Sequence, residues 1–190
     1  MENLPSPVSR KYVRLQIFVI IFFSITPIFG FAQDDVCTFN STDWCVFVTK
    51  KSENRCYIAS QALEMKAYRN GELLANVNRE RGILLINVEK GDKGSTYATY
   101  DAGYPLRKNG HVELIVGGKV FRLYPDPEAS GSQAEFAWHI EEDDKKIIDS
   151  LKTGNKVTIE AISRRGTKTK DTFSLIGLTA AITETKKLCN

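Results

Sequence analysis

Four cysteines carry the most chemistry in this 190-residue chain: Cys37, Cys45, Cys56 and Cys189. A structural zinc site draws its ligands from short paired spacings such as C-x-x-C, and even Cys37 and Cys45 are too far apart for that. Neither histidine, His111 or His139, lies near a cysteine in sequence. An even set of cysteines that does not suit a metal favours disulfides, and with them an oxidising compartment. Four cysteines admit three connectivities, and spacing alone does not choose among them.

A serine or cysteine hydrolase needs a nucleophile, a histidine base and an orienting acid. His111 opens an alternating segment and His139 follows Trp138 ahead of an acidic run, neither in a G-x-S-x-G or comparable context. Both read as ordinary structural or surface histidines. Glu141-Glu142-Asp143-Asp144 supplies the paired carboxylates of a glycosidase, yet acids at the start of a helix are accounted for by the helix dipole. No catalytic residue, metal or cofactor is expected, and an enzyme, such as a hydrolase of cell-wall material, is the weakest reading. The strongest binding candidate is the turn Arg164-Arg165-Gly166 with Lys168 and Lys170. Two adjacent arginines can grip a phosphate or carboxylate bidentately, with Gly166 supplying the turn. Its plain alternative is a charged hairpin that keeps the chain soluble. Trp44 and Trp138 read as core or sheet-edge residues rather than a sugar-binding platform.

These residues must be held by short strands, which dominate the chain. Trp44 to Thr49 reads as a strand, Lys51 to Asn54 as a turn, and Arg55 to Ala62 as the returning strand. Gly82 to Glu89 is the most apolar run and reads as a central strand; Gly91 to Gly94 turns the chain into a strand over Ser95 to Asp101. His111 to Tyr124 is a hairpin about Gly117-Gly118, because two glycines permit the positive φ angles of a primed two-residue turn. That turn sets Val112 opposite Leu123, Glu113 opposite Arg122, Leu114 opposite Phe121 and Ile115 opposite Val120, and a one-residue slip would exchange the faces. After a proline- and glycine-bearing loop, Glu141 to Lys152 switches to helical spacing, with Ile147, Ile148 and Leu151 on one stripe and Gly154 just beyond. Lys156 to Ser163 and Lys168 to Leu175 form a second strand pair, and Thr179 to Leu188 can form a terminal helix. The fold class is mainly β with one short helix.

The N-terminus is read separately. A polar start with Arg10, Lys11 and Arg14 precedes an apolar run from Ile17, and Gly30-Phe31-Ala32 places small residues where a signal peptidase reads them. Residues 1–32 are expected to be a cleaved secretory signal, leaving residues 33–190 as a single domain with no membrane span. The rival, a retained anchor, is weakened by Gln16, Ser24, Thr26, Pro27 and Gly30 within the run. The chain holds 26 Lys and Arg against 23 Asp and Glu, net +3. Most of that excess belongs to the leader, so the remaining domain is nearly neutral. It has no global field for nucleic acid or an anionic membrane surface.

Gly103-Tyr104-Pro105 stands before the hairpin, and Ala137-Trp138 stands before the acidic helix. Ser163-Arg164-Arg165-Gly166-Thr167 is followed by Thr169, Asp171-Thr172, Ser174-Leu175 and Gly177, with Cys189 at the end. This ordered set behind an export signal resembles the invasion-associated locus B family of bacterial envelope proteins, over Trp44 to Cys189. The resemblance implies an immunoglobulin-like β-sandwich secreted across the inner membrane. It also implies an envelope role that pathogenic members connect with host-cell invasion, and it brings no catalytic set. The family's cysteine after the first strand and its terminal cysteine match Cys56 and Cys189, implying a bridge between them. Cys37 and Cys45 would be the remaining local pair, which is not a general feature of the family. At Phe173 the sequence departs from a position where the family's motif carries a hydroxylated aromatic. The expectation is therefore a non-enzymatic protein of the periplasm or outer surface of a Gram-negative bacterium. It would act through contact with an envelope or host protein. Its alternative is a binding module for an anionic envelope component, using the turn from Arg164 to Lys170.

Overall fold

The computed structural model describes residues 37–48, 56–89 and 95–189, all within one compact unit, Asp34–Asn190. The signal-sequence reading of residues 1–32, and the turns read at Lys51 to Asn54 and Gly91 to Gly94, lie outside the described residues. The strands are β1 (Cys37–Ser41), β2 (Trp44–Val48), β3 (Cys56–Gln61), β4 (Glu64–Arg69), β5 (Glu72–Leu73), β6 (Ile83–Val88), β7 (Thr96–Asp101), β8 (Val112–Val116), β9 (Lys119–Pro125), β10 (Phe136–Trp138), β11 (Lys156–Ile162) and β12 (Lys168–Ser174). Two α-helices join them, α1 (Asp144–Thr153) and α2 (Leu178–Cys189). The domain is mainly β, with one short helix and one C-terminal helix, as the sequence patterning requires.

The strands form one ladder in the order β1-β2-β3-β6-β7-β10-β9-β8-β11-β12-β4-β5, with antiparallel neighbours. β6, the most apolar run, lies between β3 and β7 and alternates buried with half-buried residues. The β8–β9 hairpin has the expected register, Val112 opposite Leu123 and Leu114 opposite Phe121, and Gly117 and Gly118 take φ of 57° and 78° in its turn. β9 is the corner of the fold. Its residues from Lys119 to Leu123 pair with β8, and Tyr124 and Pro125 pair with β10.

Beyond that corner the two halves of the ladder meet. The Tyr100 hydroxyl of β7 donates to Asp171 of β12 at 2.8 Å, and the Trp44 indole of β2 donates to the Ser174 carbonyl at 3.2 Å. Ile58, Leu84 and Ile86 from one half and Leu114, Ile159 and Phe173 from the other fill a common core. The expected sandwich keeps two separately hydrogen-bonded sheets, whereas here one ladder runs through both halves because β9 serves each in turn. The shared property is a single core between opposed faces.

Both helices close this core. Ile147, Ile148 and Leu151 seat α1 against β7, and the helix stops at Gly154, whose N–H reaches the Ser150 carbonyl at 3.1 Å. Leu178, Ala181, Ile182 and Thr185 form the helical stripe that seats α2 on β2 and its neighbours. Two disulfides are present, Cys37–Cys45 and Cys56–Cys189, the connectivity that the resemblance implied. The first joins adjacent strands; the second ties the end of α2 to the start of β3, beside Val88. Among the described residues, no helix is long and apolar enough to cross a membrane.

Candidate functional site

The site is organised by β12, whose residues alternate across the sheet. Lys168 and Lys170 point outward, while Thr169, Asp171 and Phe173 are buried. A carboxylate buried in this way requires a cation and hydrogen-bond donors. Arg79 supplies both. Its Nη1 donates to Asp171 Oδ2 at 3.0 Å, and its Nη2 bonds the other carboxylate oxygen, a bidentate grip completed by the Tyr100 hydroxyl. The Asp171 side chain is 0% exposed and that of Arg79 6%. The sequence leaves room for this pair at Gly82, where a β-carbon would overlap the Asp171 carboxylate.

The Arg79 guanidinium lies 5.6 Å from the centre of the Tyr104 ring, and the Tyr104 hydroxyl shares a hydrogen bond with Thr169. Burial alone would lower the pKa of Arg79, but the hydrogen bonds and charge of Asp171 outweigh it and raise it. Burial pushes the Tyr100 hydroxyl well above its ordinary range and raises Tyr104 as well, so both remain neutral donors.

Above this network stands the turn between β11 and β12. Gly166 takes φ of 82°, its N–H and that of Thr167 bond back to Ser163, and the Arg164 N–H is held by the Pro105 carbonyl at 2.9 Å. Arg69, at the end of β4, reaches across and donates from Nη2 to the Thr167 hydroxyl at 2.8 Å. The result is a cleft of about 390 Å³ lined by Arg69, Arg79, Tyr104, Arg164, Arg165 and Thr169, among others. Asp171 neutralises Arg79. No described carboxylate lies within ion-pair distance of Arg69, Arg164 or Arg165, so the cleft is electropositive.

The structure separates Lys168 from that group. Its Nζ turns to the outer side and pairs with Glu160 at 2.7 Å, while Lys170 takes the other oxygen of Glu160 at 3.3 Å. Glu160 is held below the ordinary carboxylate range chiefly by its Lys168 hydrogen bond. Lys168 instead lines a second cleft, of about 400 Å³, in which Glu113 and Glu160 balance the positive charge.

The remaining sequence candidates are accounted for locally. His111 is part-exposed, 3.4 Å from Glu113. His139 is in contact with Tyr97, its Nδ1 faces Asp144 Oδ1, and neither of those two atoms has another partner. Burial raises the Asp144 carboxyl, with His139 pulling the other way. Glu141–Asp143 forms a 3-10 turn ahead of α1, its acids serving the helix start. Trp44 is core, and Trp138 is half-buried against Phe136 on the outer face of the sheet. Phe173 is fully buried and packs edge-on to Tyr100. Past Arg79 lie Glu80, Asp101 and Glu135. Burial and mutual repulsion raise Asp101 and Glu135, although Asp101 accepts the Gly103 N–H at 3.0 Å. Among the described residues, no group of three His, Cys, Asp or Glu side chains is placed to hold a metal ion.

Sequence reasoning found Arg164 and Arg165 but missed Arg69, Arg79, Tyr104 and the buried partner Asp171. One signal was available: an acid at an inward position of a strand that also carries Phe173 must find a cation elsewhere.

No protein-family model and no curated protein matches this chain. Among solved structures, it is similar to the crystal structure of invasion associated protein B from Bartonella henselae. The TM-score is 0.54 at 12% identity, covering 79% of this chain and 96% of that one. At that identity the likeness is one of fold.

Proposed function

We propose that this chain is an exported, non-enzymatic bacterial envelope protein of the invasion-associated locus B type, acting by contact with a periplasmic or cell-surface protein. The observation that carries this reading is the shared fold over 96% of invasion associated protein B. The ordered motifs from Gly103 to Cys189 point to the same family, and the link with host-cell invasion comes from it. Two disulfides add support, because such bonds persist in oxidising compartments such as the periplasm and cell surface. The non-enzymatic part rests on how the usual catalytic groups are occupied. All four cysteines are oxidised, His139 is closed on Asp144, and His111 lies beside Glu113. Among the described residues, neither histidine is hydrogen-bonded to a hydroxyl or thiol nucleophile.

Crosslinking in intact cells tests the reading. A tagged chain should carry one reproducible envelope or host protein through denaturing purification, and that adduct should be absent when the tagged chain is kept in the cytosol. A chain that stays uncrosslinked in the envelope, or that turns over cell-wall fragments when purified, would contradict it.

A further inference from the structure

We infer that the arginine-lined cleft between the β11–β12 turn and the end of β4 is a binding site for a phosphate ester. Three guanidinium groups, Arg69, Arg164 and Arg165, line it without a carboxylate partner among the described residues. Like charges gathered in this way repel one another, so a surface shaped only for solubility would spread them or intersperse acids. The second cleft does intersperse them, setting Lys168 against Glu160.

The arrangement is also built rather than loose. Thr167 orients Arg69, while the turn that carries Arg164 and Arg165 is pinned by Ser163 and Pro105. The floor is fixed by Arg79, which buried Asp171 holds over Tyr104. Because Asp171 already neutralises Arg79, the floor contributes rigidity, and the three outer arginines contribute the charge.

The ligand class follows from those groups. A carboxylate is satisfied by one bidentate guanidinium, whereas a phosphate ester presents more charged oxygens and can engage several arginines at once. Val77, Pro105 and the ring of Tyr104 give the cleft an apolar wall for whatever carries the phosphate. A soluble phosphate ester and the headgroup of an anionic phospholipid share this chemistry. The inference stands on the cleft alone and is independent of which protein the chain contacts.

The test uses the purified oxidised protein with two probes. Phenyl phosphate is titrated by calorimetry, and vesicles of phosphatidylcholine with or without phosphatidylglycerol are co-sedimented. Each is repeated with Arg164→Ala/Arg165→Ala, with Arg69→Gln and with Lys168→Ala. All four positions are exposed, and thermal melts confirm that each variant folds. Losing charge-assisted bonds to the ligand should weaken binding about tenfold or more in the double variant. Arg69→Gln should also weaken it, and Lys168→Ala should leave it unchanged. That pattern with phenyl phosphate identifies a soluble ester; the same pattern only with phosphatidylglycerol vesicles identifies a headgroup. If neither probe binds, or if Lys168→Ala weakens binding as much as the double variant, the site does not exist as described.

Discussion

Removing Arg79 gives the clearest measure of what holds this fold at the level of the cleft. In Arg79→Met, Asp171 stays fully buried, loses a bidentate partner and, among the described residues, keeps only the Tyr100 hydroxyl as a side-chain donor. Breaking a buried ion pair from one side costs about 3–5 kcal/mol, because the charge left behind is uncompensated. Methionine can occupy much of the vacated volume, so most of this loss is electrostatic. For a domain of this size each kcal/mol moves Tm by roughly 2–4 °C, which places the expected drop at about 6–20 °C. Urea unfolding should show a lower midpoint with an unchanged slope, the mark of lost stability in an intact fold. A second substitution separates pairing from packing. Arg79→Met/Asp171→Leu removes both charges and should recover most of the loss, as apolar replacement of buried pairs does elsewhere. A single variant that loses under about 1 kcal/mol would refute the reasoning, since a solvated Asp171 would then be the better description.

Three further outcomes are expected. Replacing Cys56 and Cys189 by serine should cost more stability than replacing Cys37 and Cys45, about 5 against about 2.5 kcal/mol from loop closure; their sequence separations are 133 and 8, and urea unfolding under oxidising conditions measures the difference. Asp101 has a raised pKa in the fold, so its contribution is present below the ordinary value of 3.8 and is lost as pH rises through the folded pKa. Asp101→Asn, which keeps an acceptor for Gly103, should therefore raise Tm at pH 7 and leave it unchanged near pH 3; equal shifts at both would overturn the electrostatic reading. Glu160 has the opposite sign, its stabilisation being present above the ordinary value of 4.5 and lost as pH falls through the depressed folded pKa. Glu160→Gln should lower Tm at neutral pH and converge with the parent in strong acid.

Much of the fold is legible in the sequence where local rules agree. The β8–β9 register follows from Gly117-Gly118 and four compatible cross-strand pairs, and α1 follows from its acidic start, its Ile147-Ile148-Leu151 stripe and Gly154. Strands that depend on distant neighbours are harder to read. β4 (Glu64–Arg69) buries only Ala67, half-buries Met65 and Tyr68, and carries exposed charges at Glu64, Lys66 and Arg69, so its strand character comes from pairing with β12. β1 is mostly exposed and β10 has three residues, too short for any period to show. The same distinction governs the cleft. Arg164 and Arg165 are conspicuous as neighbours, whereas Arg69 and Arg79 lie far away in sequence and come close only through the pairing of β4 with β12 and the Asp171 ion pair. Lys168 groups with the arginines by proximity in sequence, yet a period of two places it on the opposite face from Thr167 and Thr169. Alternation along β12, applied residue by residue, separates it without a structure.

The most direct test of the account is cell fractionation with intact-mass analysis of the recovered chain, before and after reduction. The chain should be found in the envelope fraction and begin at Gln33, with all four cysteines closed to alkylation until reductant is added. A chain recovered from the cytosol with Met1 in place and four reactive thiols would contradict it.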